Sequence, residues 1–108
     1  MGEFTSISVS DGSEMRVYMA RPASTAKAPA ILVFQEAFGV NSHIRDVTER
    51  FAKRGYVAAS PELFHRTAPG FEGRYDDFNS VRKHMSAMTT EGIEADVRAT
   101  YEMLRFLP

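Results

Sequence analysis

A strand–helix–strand pattern between residues 30 and 59 constrains the fold of this chain more than any other feature. Residues 30–34 (Ala-Ile-Leu-Val-Phe) form an uninterrupted apolar run, which is typical of a strand covered by helices on both faces of a parallel sheet. Ile44, Val47 and Phe51 then recur at helical spacing, and a second apolar strand is expected over 56–59. Short joints between such elements define a βαβ unit, so we expect the two strands to run parallel.

The helix of this unit is predicted over about 42–54 because suitable residues stand at both of its ends. Asn41 or Ser42 can cap its amino terminus, basic residues occupy its last turn, and Gly55 follows at the position where helices commonly end in glycine. Pro61 is expected to end the strand that comes next.

A β-hairpin is predicted before this unit. The Asp11-Gly12 pair is typical of a type I′ turn between two strands. The apolar residues that alternate along the two strands are Ile7, Val9, Met15, Val17 and Met19. Residues 22–29 are small and polar and lie between two prolines, which indicates a linker between the hairpin and the first parallel strand.

Two further helices are expected after a turn-rich loop over 65–74. One begins near Tyr75, and the other covers about 91–107. The chain is therefore interpreted as one α/β domain, a hairpin followed by a βαβ unit with flanking helices. The apolar strand over 30–34 needs neighbours on both sides to pair its backbone groups, so residues 1–108 are expected to be the amino-terminal part of a larger α/β domain.

Charge and composition exclude several classes of function. The 13 Lys and Arg residues balance 14 Asp and Glu residues, for a net charge of −1, which excludes a broadly basic nucleic-acid binder. No secretory signal and no run of about 20 apolar residues is visible, so we expect a cytoplasmic protein without a membrane partner. With no cysteine in the chain, disulfides, cysteine-based zinc sites and a thiol nucleophile within these residues are excluded.

Candidate site residues follow the two parallel strands, since sites in open α/β sheets form at the carboxyl ends of strands. Glu36 comes soon after the first apolar run. It is either a partly desolvated carboxylate poised as an acid or base, or an exposed loop residue. For Glu62, which follows the second strand and Pro61, we favour a carboxylate that caps a turn.

The histidines and serines indicate no site by themselves. His43 shares one side of a helix with Asp46 and Glu49, for which a solvated face is favoured over a metal site. His84 is interpreted as a surface residue, and nothing near His65 in the sequence completes a site. Neither a Gly-x-Ser-x-Gly nucleophile elbow nor a phosphate-binding loop occurs, and Ser13 lies in the predicted hairpin turn. A metal-dependent enzyme using Glu36, His43 and His65 is the weakest alternative, and we expect no metal or other cofactor.

Two segments carry a family likeness. Residues 35–46 (QEAFGVNSHIRD) and 51–64 (FAKRGYVAASPELF) resemble the amino-terminal half of the dienelactone hydrolase (carboxymethylenebutenolidase) family of α/β-hydrolases. The resemblance covers roughly residues 5–107. It implies the amino-terminal part of an α/β-hydrolase fold and hydrolysis of a small lactone or ester by a Cys-His-Asp triad. It also implies that the cysteine, in a Gly-x-Cys-x-Gly elbow, and its Asp and His partners lie beyond Pro108.

The same resemblance implies roles for residues that this chain does contain. Glu36 matches the family's glutamate that contacts the resting nucleophile and moves as substrate binds. Ala37 matches the residue whose backbone N–H supplies half of the oxyanion hole. Arg82 and Arg74 lie in the region from which the family draws an arginine for a substrate carboxylate.

A non-catalytic reading stays open beside the enzymatic one. In it, the chain is a truncated α/β module that is stabilised by self-association or by a partner. The open edge of the strand over 30–34 would then form the contact of a homo-oligomer.

Overall fold

The strands of the computed structural model, which describes residues 2–23 and 27–107, form one mixed sheet. Its strands are β1 (Glu3–Ser8), β2 (Glu14–Ala20), β3 (Ala30–Leu32) and β4 (Val57–Pro61), in the spatial order β1-β2-β4-β3. The helices are α1 (Ser42–Lys53), α2 (Phe78–Ser86) and α3 (Thr90–Arg105). Three residues of the predicted linker, 24–26, lie outside the described residues. In the described part of the chain, no helix is both long and apolar enough to cross a membrane.

The predicted βαβ unit is confirmed. β3 and β4 pair in parallel, with Leu32 opposite Ala59, and α1 connects them. The Asn41 side chain caps α1 by accepting the Ile44 N–H at 3.1 Å. Gly55 follows the helix at φ 98°, a left-handed conformation that favours glycine. The α/β fold class and the parallel pair are therefore as the sequence indicates.

Helices cover the sheet from both sides. Alternate residues of β2 point to opposite faces, so each face has its own apolar cluster. The cluster beneath α1 consists of Tyr18, Val33, Val40 and Ile44. The cluster towards α3 consists of Val9, Met15, Val17 and Ala59, with Ala95, Ala99 and Met103 packed against it. The hairpin's predicted apolar face is confirmed by the second cluster.

The predicted type I′ turn of the hairpin is wrong. Such a turn needs two successive residues with positive φ, but in the described residues only glycines have positive φ, here Gly12 at 91°. The Gly12 N–H donates to Val9 C=O at 2.9 Å, and the Val9 N–H donates to Ser13 C=O at 2.8 Å. Asp11 keeps a negative φ, and its carboxylate accepts the Ser13 N–H at 3.0 Å. The loop is thus a tight turn closed by a left-handed glycine.

The bounds of the parallel strands also differ from the prediction. β3 ends at Leu32, and β4 extends through Pro61, whose missing N–H is tolerated at a strand end. Phe34 remains 49% exposed, and Ala30 is exposed as well. The apolar run over 30–34 is thus buried only in its middle, with Val33 buried and Ile31 and Leu32 half-buried. β4 pairs with one edge of β3, and the described residues place no strand at its other edge.

α2 begins three residues after its predicted start near Tyr75, and α3 begins and ends within two residues of its predicted bounds. α2 begins at Phe78, where the Asp77 carboxylate accepts the Ser80 N–H at 3.3 Å. α3 begins at Thr90 with Thr89 as its cap, its hydroxyl accepting the Gly92 N–H at 2.9 Å. These short polar side chains satisfy backbone donors that a helix leaves unpaired in its first turn.

Candidate active site

The loop between β3 and α1 forms a tight turn at residues 36–39. The Gly39 N–H donates to the Glu36 carbonyl at 3.2 Å, and Gly39 has φ 86°. A β-turn of this kind leaves the N–H groups of its two central residues without a partner inside the turn. Ala37 and Phe38 are these central residues.

The segment after Ala68 holds this turn from one side. A Cβ added to Gly39 would overlap the Phe71 carbonyl oxygen, so only glycine fits at this position. The Gly73 N–H donates to the Phe38 carbonyl at 2.9 Å. The Phe38 ring also packs edge-on against Tyr75, with centroids 4.5 Å apart. The turn is therefore fixed against a second loop as well as by its own hydrogen bond.

Gln35 ties the turn to the loop that follows β4. Its Oε1 accepts the Leu63 N–H at 2.8 Å, while its Nε2 donates to the Glu36 carbonyl at 3.2 Å. Because the Leu63 N–H can only donate, it determines which end of the carboxamide carries the oxygen. The side chain thus joins the carboxyl ends of both parallel strands.

Ala37 is partly buried, and its N–H has no hydrogen-bond partner among residues 2–23 and 27–107. Glu36 beside it is exposed, and its carboxylate forms no ion pair or hydrogen bond within the same residues. Of the two alternatives that the sequence leaves for Glu36, its exposure in this chain agrees with the exposed loop residue, and its role in a site stays a prediction. Among the described residues, the turn therefore presents two groups without a partner side by side, the backbone N–H of Ala37 and the carboxylate of Glu36.

The two candidate arginines differ in their surroundings. Arg74 is exposed and forms a bidentate pair with Asp76, at 3.1 and 2.9 Å. Arg82 is exposed on α2 and has no carboxylate partner among the described residues. It shares the open face of α2 with Phe78 and Met85, which are 50% and 43% exposed.

Glu62 is a structural residue. It is 5% exposed and pairs with Arg16 through two hydrogen bonds of 3.1 and 2.8 Å. These bonds hold the pKa of Arg16 above its ordinary value. Glu62 also accepts the Gly70 N–H at 3.2 Å, so the predicted capping role is only part of what this side chain does.

His65 has partners in the folded chain that lie far from it in the sequence. His65 is buried, with its Nε2 2.9 Å from Ser13 Oγ and its Nδ1 2.9 Å from the Glu62 carbonyl. The carboxylate of Asp96 lies 3.9 Å from Nδ1. The Ser13 hydroxyl donates to Asp11 at 2.6 Å, so its proton is not directed at His65 as that of a nucleophile would be. Local sequence carried no signal for this cluster, because its members are far apart in the chain.

The other histidines have different surroundings. His84 is 8% exposed, so its interpretation as a surface residue is wrong: Thr67 lies 2.9 Å from its Nδ1, and the rings of Phe64 and Phe71 pack against it. His43 is exposed. Its helix neighbours are engaged elsewhere, Asp46 with Arg50 and Glu49 with the Tyr18 hydroxyl. Within residues 2–23 and 27–107, no group of three or more metal-binding side chains lies close enough to hold an ion.

The fold and this loop define an α/β protein whose candidate site lies at the carboxyl end of a parallel strand, as is general for open α/β sheets. The family model of the dienelactone hydrolase family matches residues 15–108. This chain therefore belongs to the dienelactone hydrolase family, and the resemblance described above is confirmed.

Individual relatives agree with this assignment. A Synechocystis sp. protein provisionally named carboxymethylenebutenolidase is 45% identical over 93 residues, which cover 84% of this chain and 38% of that protein. An Escherichia coli K12 protein with the same provisional name is 40% identical over 97 residues, 89% of this chain and 34% of its own length. A crystal structure of a provisionally assigned dienelactone hydrolase from Klebsiella pneumoniae matches with a TM-score of 0.82 and 33% identity, over 95% of this chain and 42% of that one. The chain thus spans less than half the length of these relatives.

Proposed function

We propose that residues 1–108 work as the amino-terminal part of a longer enzyme that hydrolyses lactone or carboxylic ester bonds. Membership of the dienelactone hydrolase family supports this reaction class. The chain has no cysteine, so a thiol nucleophile of the kind that the resemblance implies would come from outside these residues. What this part contributes is the loop at residues 35–39.

The free N–H of Ala37 is the observation that carries the proposal. As a nucleophile adds to an ester carbonyl, the carbonyl oxygen becomes negatively charged, and a backbone N–H already aimed at it lowers the barrier. Removing one such donor typically lowers kcat by about 10² to 10³. Alanine is sufficient at this position because only the backbone group takes part.

Glu36 would control the protonation state of the thiol. A negative carboxylate close to a thiol disfavours the thiolate, so the resting nucleophile is kept neutral. Glu36 has no ion-pair partner among the described residues and lies on the surface, so it can turn away when substrate enters. The thiol can then transfer its proton to the histidine of the implied triad and attack the carbonyl carbon of the substrate.

Arg82 is the better of the two candidates for binding a substrate carboxylate. Arg74 already shares its guanidinium with Asp76, whereas Arg82 is uncommitted in the described part of the chain and lies between two exposed apolar side chains. A cation beside apolar surface suits a small organic acid that carries a ring.

A non-catalytic, self-associating module is the second candidate. The open edge of β3 and the exposed Phe34 favour it, since unpaired strand edges readily accept another strand. Sedimentation tests it directly: a stable monomer at micromolar concentration would contradict self-association. A cytoplasmic location and the absence of nucleic-acid partners stay predictions.

The first experiment is the intact mass of the protein together with its hydrolysis of an activated ester. A mass well above 12.1 kDa and an activity that thiol alkylation abolishes would support the enzyme. Glu36→Gln should make the thiol of that protein react faster with iodoacetamide, and the exposed Glu91→Gln is the matched control. A mass of 12.1 kDa without hydrolysis above that of free histidine would instead favour the non-catalytic module.

A further inference from the structure

We propose that Gln35 is a positioning residue that orients the backbone N–H of Ala37. The proposal rests on the role of Ala37 put forward above. Gln35 does not touch the reacting atoms in it; the side chain acts through the peptide group that joins Glu36 to Ala37.

The geometry of that peptide group is the first step. Its carbonyl, on Glu36, accepts two hydrogen bonds, from Gln35 Nε2 and from the Gly39 N–H, both at 3.2 Å. Its N–H, on Ala37, donates to no partner within residues 2–23 and 27–107. Two donors on the carbonyl fix the plane of the peptide while its N–H stays available.

These bonds also polarise the peptide. In a chain of hydrogen bonds, an amide whose carbonyl accepts a bond becomes a stronger donor at its N–H. A donor that serves a developing negative charge must also be held close to its productive orientation before the reaction begins. The Gln35 carboxamide contributes to both effects.

Gln35 is itself held from the β4 side. Its Oε1 accepts the Leu63 N–H at 2.8 Å, and Leu63 follows Glu62, which is anchored to Arg16 by two hydrogen bonds. The loop that directly follows β4 therefore fixes the carboxamide, which in turn fixes the Ala37 peptide. This connection distinguishes Gln35 from a side chain that merely covers the loop.

The test compares the amide resonances of the ¹⁵N-labelled whole hydrolase with those of three variants. Gln35→Met removes both side-chain bonds, whereas Gln35→Glu keeps an oxygen for the Leu63 N–H and loses the donor to the Glu36 carbonyl. We expect the Ala37 amide proton to move upfield in both variants, and the Leu63 amide to exchange faster in Gln35→Met only. Arg45→Met is the matched control: it removes a bond of 2.8 Å to the Val40 carbonyl in the same loop and an ion pair of 3.1 Å with Glu72, but no bond to the Glu36–Ala37 peptide. It should leave the Ala37 resonance unchanged.

An Ala37 resonance that is unchanged in Gln35→Met would overturn the proposal, whatever the activity of the protein. In the whole hydrolase, Gln35→Met should lower kcat about tenfold with KM unchanged, a smaller loss than deletion of an oxyanion donor. An unchanged kcat would likewise overturn the positioning role. Failure of the proposed function shows separately, as an unmodified enzyme without thiol-dependent hydrolysis.

Discussion

The guanidinium of Arg66 donates two hydrogen bonds to the carboxylate of Asp96, at 3.1 and 2.8 Å. The Asp96 side chain is only 1% exposed, and that of Arg66 is 31% exposed. Arg66 also donates to Asp11 at 2.7 Å. One side chain therefore connects the loop after β4 to α3 and to the hairpin turn.

Arg66→Met is expected to lower the free energy of unfolding by about 2 kcal/mol, because it leaves the buried Asp96 charge without its partner. Breaking a fully buried pair costs about 3 to 5 kcal/mol, and the partial exposure of Arg66 reduces this value. Urea denaturation measures the change. Arg98→Met, which breaks an exposed pair with Glu94, should cost less than about 0.5 kcal/mol. Equal losses in the two variants would show that the contact with the buried Asp96 contributes no more to the free energy of unfolding than an exposed ion pair does.

Gly39→Ala should destabilise the protein more than Gly12→Ala. Both glycines have positive φ, 86° and 91°, so both substitutions carry a conformational cost of about 1 kcal/mol. At Gly39 the new Cβ would overlap a backbone atom, the Phe71 carbonyl oxygen, whereas nothing lies within 4 Å at Gly12. Overpacking of this kind adds about 1 to 3 kcal/mol. Thermal unfolding of the two variants gives the difference, and a similar loss in both would contradict the close contact.

Regular elements could be predicted from the sequence because their signals are local. The spacing of Ile44, Val47 and Phe51, the cap at Asn41 and the glycine at position 55 all lie within one stretch of chain, and the structure places α1 at Ser42–Lys53. The turn type of the hairpin was not predictable from Asp11-Gly12 alone. There the Asp11 carboxylate bonds to the Ser13 N–H, which favours a conformation with a single left-handed residue.

The candidate site was only partly predictable, because only some of its features have signals that are local in the sequence. That the candidate site lies in the loop after β3 could be predicted, because sites in open α/β sheets form at the carboxyl ends of parallel strands. The burial of individual side chains could not, because it depends on contacts with residues that are distant in the sequence. Glu36 is exposed, whereas His65 and His84 are buried by partners that lie 13 or more residues away in the chain, such as Ser13, Thr67 and Phe71. The position of Gln35 before Glu36 was visible in the sequence; its bond to the Leu63 N–H required the folded sheet.

Ser60→Ala is expected to leave the stability unchanged or to raise it by up to about 1 kcal/mol. Ser60 lies in β4 opposite Tyr18 and is fully buried, and its hydroxyl has no hydrogen-bond partner in the described part of the chain. A buried hydroxyl without a partner costs free energy that alanine does not. Thr48 is the residue for comparison, because it is also buried but its hydroxyl does have a partner: it donates to the Ile44 carbonyl at 2.8 Å. A loss above about 1 kcal/mol on Ser60→Ala would reveal a partner for its hydroxyl, such as a buried water.

Glu49→Gln should let Tyr18 ionise at a lower pH. Burial of the Tyr18 ring, followed by its hydrogen bond to the Glu49 carboxylate, raises the pKa of Tyr18 above its ordinary value of 10.0. The folded state thus holds this proton more tightly than the unfolded state does. The stability gained is complete below about pH 10 and is lost as the pH rises through the raised value. Glutamine removes the negative charge but leaves the ring buried, so the pKa of Tyr18 should fall only part of the way. Phenolate absorbance, with Tyr18→Phe subtracted, follows this one residue, and an identical titration in Glu49→Gln and the unmodified chain would show that Glu49 does not bind the Tyr18 hydroxyl.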